Sequence, residues 1–167
     1  MVLIQMHRGT SLFSRIIRWF SRAPYSHVSV WFVDLTDADG GVVLEAIEGE
    51  GVRSVPAPAY REARQMGRID LFALRHPLTA DERAALWGVW HAELGAAYDW
   101  LGVFRFVTRR RHAHDAKWFC SEFVAWGLEQ IGRPLFAGTE PWEVKPGDVP
   151  RSPTLVRTSD PERERAG

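Results

Sequence analysis

Between residues 25 and 33 the chain reads YSHVSVWFV, in which His27 and Ser29 alternate with Val28 and Val30. This pattern predicts a β-strand. The stretch VVLEAIEG at 42–49, an apolar run containing Glu45 as its inner acid, predicts a second strand. DLTDADGG between them is rich in turn formers, so 25–49 is expected to fold as an antiparallel hairpin. After a Pro-rich connection, RIDLFAL at 68–74 predicts a third strand. Elsewhere the period lengthens. In SLFSRIIRWF, the residues Leu12, Phe13, Ile16, Ile17 and Phe20 share one helical face and Arg15 and Arg18 another, and Pro24 follows as a stop. Packing of that helix on a sheet is the preferred reading. Contact with lipid headgroups is the alternative. Thr79, with Asp81 and Glu82 behind it, predicts the N-cap of a helix through ERAALWGVWHAELG, with Gly95 as its stop. KWFCSEFVAWGLEQIG, at 117–132, predicts a last helix. The expected fold class is α+β, an antiparallel sheet packed against helices. Residues 1–150 are expected to form one domain, with the polar segment 151–167 as a frayed tail.

Composition narrows the function classes. The chain has 167 residues, 46% of them apolar and 25% charged, which suits one soluble domain. Lys plus Arg and Asp plus Glu both number 21, and this balance argues against a nucleic-acid binder. A single cysteine excludes an internal disulfide and a CxxC zinc site. No signal-like apolar region opens the chain, and no apolar run approaches the roughly 20 residues of a membrane span. A cytoplasmic location is expected.

Cys120 is the candidate nucleophile. Val124, Leu128 and Ile131 follow it at helical spacing, so the thiol faces inward with an apolar stripe. A small buried hydrophobe is the plain alternative. Placement in the first helical turn, with Asp115 as a cap from outside, would favour a thiolate. A nucleophilic thiol also needs a base and a group that orients the base. Among six histidines, His76 and His91 read as structural or solvated, and His7 has no evident partner. His112, His114 and Asp115, in the loop TRRRHAHD, offer a weak metal-binding pattern. His27 stands out as an imidazole inside a strand. If the hairpin turns symmetrically about Thr36, opposed residues have numbers summing to 72, and His27 faces Glu45. Glu48 and Glu50 lie nearer the strand end and are poorer partners. Cys120, His27 and Glu45 therefore form a candidate nucleophile, base and orienter.

HRGTSLFSRIIRWFSRAPYSHVSVWF, VLEAIEGEGV, AYDWLG and WFCSEFVAWGLEQIG, with the late PWEVKPGD, resemble in order the circularly permuted branch of the NlpC/P60 papain-like superfamily. That branch contains the YiiX/YaeF-like amidases and is related to the lecithin:retinol acyltransferase type. The resemblance spans about residues 3–150, with the histidine strand before the cysteine helix. It implies a papain-like fold with Cys120 as nucleophile, His27 as general base and Glu45 as the polar third residue. It places Tyr98 near the site, as an oxyanion-side hydroxyl or as a packed tyrosine. Many relatives open with a Gly-Asp pair where this chain reads IQMHRG.

The expected function is a cysteine hydrolase that cleaves an amide or isopeptide bond through a thioester, with no metal or organic cofactor. Its substrate would be a small peptide, a glycopeptide of the peptidoglycan type or a lipid-like acyl compound. Trp19, Trp31, Trp100 and Trp118 could wall an acyl pocket or belong to the core, and the arginine loop could attract an anion. A lipid acyl hydrolase or acyltransferase on the same triad, a non-enzymatic binding module and a metal-dependent protein are the alternatives. Contact with a membrane surface is not favoured, and nothing in the sequence fixes the oligomeric state.

Overall fold

The computed structural model describes residues 1–33, 40–63, 69–99 and 117–159. The Thr36 turn, Trp100, and the loop with His112, His114 and Asp115 lie outside the described residues, as does the side chain of Phe13.

Strand β1 (Val2–His7) opens the chain and helix α1 (Leu12–Ser21) follows. Ser11 caps α1, its hydroxyl accepting from the Ser14 N–H at 3.1 Å. Strands β2 (His27–Phe32), β3 (Val42–Ile47) and β4 (Gly51–Pro56) come next, then the short helix α2 (Ala57–Ala63) and strand β5 (Ile69–Leu74). Helix α3 (Ala80–His91) leads to a short parallel pair, β6 (Ala97–Tyr98) and β7 (Lys117–Trp118). Helix α4 (Cys120–Gln130), two 3-10 turns and strand β8 (Leu155–Thr158) complete the described chain.

Six strands form one antiparallel sheet in the order β4-β3-β2-β1-β5-β8. Its central strands are buried on both faces, which is why VLIQMH and HVSVWF are rich in apolar residues. On one face Val2, Ile4, Met6, Val28, Val30 and Phe32 meet residues of α3 and α4 in the larger core. On the other, Leu3, Trp31, Val43 and Leu71 pack under Ala57 and Tyr60 of α2.

Thr79 caps α3 as expected, in a reciprocal capping box with Glu82. The helix ends at His91 rather than Gly95. Gly95, at φ +87°, lies in the turn that follows, where its N–H donates to Val52 O at 2.9 Å. Helices α3 and α4 approach closely because position 127 is glycine: a Cβ there would lie 1.8 Å from Trp90 Nε1. That indole donates to Phe123 O at 3.0 Å.

Four elements depart from expectation. The N-terminus supplies a central strand, β1. The Pro-rich connection contains β4 and α2, an edge strand and a helix too short to show a period. The tail expected to fray carries β8, paired with β5 and anchored by Leu155, which is 5% exposed.

Candidate active site

Strand β1 ends where β2 begins, and His7 pairs with His27 across that end of the sheet. The β2–β3 ladder joins Val30 to Leu44, Trp31 to Val43 and Phe32 to Val42, so opposed numbers sum to 74, not 72. Extended, this register sets Ser29 opposite Glu45 and leaves His27 on the diagonal. The predicted direct opposition is corrected, yet the two side chains still meet, because long side chains span a diagonal pair. His27 Nε2 lies 2.7 Å from Glu45 Oε2.

Glu45 is fully buried, and its carboxylate is filled from three directions. Besides His27, Oε2 accepts the Tyr60 hydroxyl at 2.8 Å. Oε1 accepts Arg53 Nε at 3.0 Å and Nη2 at 2.6 Å. Arg53 stands directly opposite on β4 and also reaches Glu50. Behind this lies a second polar layer. His7 Nε2 is 2.9 Å from Ser29 Oγ and 3.2 Å from the Tyr60 hydroxyl, and Ser29 donates to Gln5 Oε1 at 2.9 Å. The rings of His7 and His27 lie 5.2 Å apart.

Cys120 is the first residue of α4 and is fully buried. Its N-cap is Phe119, which makes no side-chain cap bond; the expected outside cap, Asp115, lies outside the described residues. The His27 imidazole, its side chain 13% exposed, bonds Glu45 and lies within electrostatic reach of Cys120. Burial alone would lower the imidazole pKa. Interaction with Cys120 and with the Glu45 carboxylate outweighs it and raises the pKa from 6.5 to about 9. With Nε2 on the carboxylate, Nδ1 is the nitrogen left for sulfur.

Tyr98 is buried, its ring 5.9 Å from that of Phe119. Desolvation first, then the charges of Cys120, Glu48 and Asp99, raise its pKa, so the phenol stays protonated. Thus Cys120, His27, Glu45 and Tyr98 gather at one end of the sheet.

Other expectations separate. Glu48 and Glu50 are exposed, as are His76 and His91. His7 is no solitary residue but part of the buried layer. Among the described residues, Trp19, Trp31 and Trp118 do not converge on an acyl pocket. Trp31 lies in the smaller core, Trp118 in the larger one, where it donates to Glu93 at 2.8 Å, and Trp19 is 74% exposed. The sequence offered a cue to Gln5, His7 and Ser29, each polar within an apolar strand. It offered none to Tyr60, which arrives on α2.

Among the described residues, no group of three or more His, Cys, Asp or Glu side chains is placed to hold a metal.

A cysteine opening a helix beside an imidazole on an antiparallel strand, with histidine before cysteine in the chain, is the permuted papain-like arrangement. The chain belongs to the family described as "Permuted papain-like amidase enzyme, YaeF/YiiX, C92 family", whose model matches residues 2–135. It is therefore an enzyme of the cysteine peptidase and amidase type. The fold is similar to that of a protein solved as metalloprotein yiiX from Escherichia coli O157:H7, with a TM-score of 0.73, 17% identity and 95% of each chain covered. No curated protein matches the chain significantly.

Proposed function

We propose that this amidase works through Cys120, His27 and Glu45, forming a thioester on its one cysteine. The reading is carried by a single observation: one imidazole bonds a buried carboxylate through Nε2 at 2.7 Å and stands within electrostatic reach of the chain's one thiol. Glu45 fixes the tautomer and supports the imidazolium, as the raised His27 pKa requires. His27 takes the thiol proton, and the sulfur attacks the acyl carbonyl. The first N–H groups of α4, which have no acceptor within the helix, steady the oxyanion, and Tyr98 is the further donor on that side. His27 then protonates the departing amine, and water, deprotonated by the same imidazole, hydrolyses the thioester.

The substrate class that suits this chemistry is a small peptide, glycopeptide or lipid-like acyl amide. The solved relative is called a metalloprotein. Here Glu45 carries Arg53, Tyr60 and His27 on its oxygens, so it does not fit a metal ligand.

The sulfur is buried, so an acyl donor must displace what covers it, and small donors should react first. Intact-mass spectrometry after exposure to a graded series of activated acyl donors tests the reading. A mass added to the wild type and absent from Cys120→Ala is expected. Equal labelling of both would discard Cys120 as the nucleophile.

A further inference from the structure

Four large apolar side chains are exposed among the described residues, and three belong to α1: Leu12 at 72%, Ile16 at 39% and Trp19 at 74%. Positions i, i+4 and i+7 stack into one stripe along a helix. The expected inward face is therefore divided. Ile17 is buried and Phe20 half-buried against the larger core, while Leu12 and Ile16 turn outward with Trp19.

Arginines border this stripe. Arg15 and Arg22 are exposed and Arg18 half-buried, and none of the three pairs with a described carboxylate. By contrast, Arg8, Arg53, Arg133 and Arg157 each bond one. No Asp or Glu precedes Asp34, so the positive charge is local although the whole chain is neutral. Trp19 and Arg18 with Phe20 and Arg22 also line an open hollow.

We propose that α1 docks the protein on anionic lipid bilayers. An exposed tryptophan and aliphatic stripe suits the acyl–headgroup boundary, and arginines suit lipid phosphates. A two-fold contact with a second copy would instead set arginine against arginine, which is repulsive. Helix α1 joins the end of β1 at His7 to the start of β2 at His27, so its connection to the sheet is made at the end that carries the candidate site. The proposal does not rest on the catalytic reading, since binding alone tests it.

The test is co-sedimentation of the full chain with vesicles of phosphatidylcholine, alone or mixed with phosphatidylglycerol. Binding to the mixed vesicles is expected, weakened about ten-fold or more on the neutral vesicles and in high salt. Leu12→Ser with Trp19→Ser, and separately Arg15→Glu with Arg22→Glu, should each reduce it about ten-fold or more. These side chains are exposed, so circular dichroism and melting should be unchanged. Wild-type protein left in the supernatant, or variants that sediment equally well, would overturn the proposal. So would a dimer that dissociates in Trp19→Ser while no vesicle binds.

Discussion

Burying a carboxylate is costly unless its oxygens are satisfied, and Glu45 is satisfied by a histidine, a tyrosine and an arginine. Of these, Tyr60 is buried and bridges Glu45 to the His7–Ser29 layer. It is a positioning residue. Tyr60→Phe keeps the ring packed but removes the hydroxyl, leaving the carboxylate one donor short. A hydrogen bond to a charged acceptor contributes about 1.5–3 kcal/mol, so denaturant unfolding should show a loss of about 2 kcal/mol. Acylation of Cys120 should slow about ten-fold as Glu45 and His27 lose their fixed geometry, with little change in affinity for the acyl donor. A rate equal to wild type would show that Tyr60 supports only the fold. Glu45 was legible in the sequence because an acid inside VVLEAI demanded a reason. Tyr60 was not, because an aromatic residue on a seven-residue helix carries no periodic signal.

Among the elements, those with a strong local signature were readable and those defined by their neighbours were not. Helix α3 declared itself by its capping box, and β2 and β3 by patterning and turn chemistry. Strand β8 has only two apolar residues amid polar ones and exists because β5 offers an open edge. The exact β2–β3 register was hidden because it depends on the connecting turn rather than on the strands. The contact between α3 and α4 is another neighbour effect, since Gly127 looks unfavourable for a helix until Trp90 is laid against it. Gly127→Ala should therefore lower stability despite alanine's better propensity. A Cβ 1.8 Å from the indole nitrogen must push the helices apart and strain the Trp90–Phe123 bond. Overpacking of this kind costs about 1–3 kcal/mol, a fall in Tm of several degrees in calorimetry. Because α4 carries Cys120, acylation should slow as well. An unchanged or higher Tm would mean that the helices separate freely.

For the whole molecule, the raised proton affinity of His27 beside Glu45 and Cys120 links the site to global stability. The folded imidazole is raised to about 9 from an ordinary 6.5. A group raised in this way contributes stability that is complete below the unfolded value and lost as pH climbs through the folded one. Wild-type protein should thus be stabilised, relative to His27→Gln, by a fixed amount below about pH 6.5, and the difference should shrink through pH 9. Carboxylates act at the other end of the scale. Asp70 is desolvated, but Tyr25 and Arg8 hold its pKa below the ordinary value, so its contribution fades only in acid. The two effects are therefore separable in one series of denaturation curves. Since Cys120 helps to raise the imidazole, Cys120→Ala should lower the His27 pKa measured by NMR while the Glu45 contact persists. Parallel stability curves for wild type and His27→Gln, together with an imidazole titrating at its ordinary value, would mean that Glu45 and Cys120 do not raise the imidazole in the folded protein.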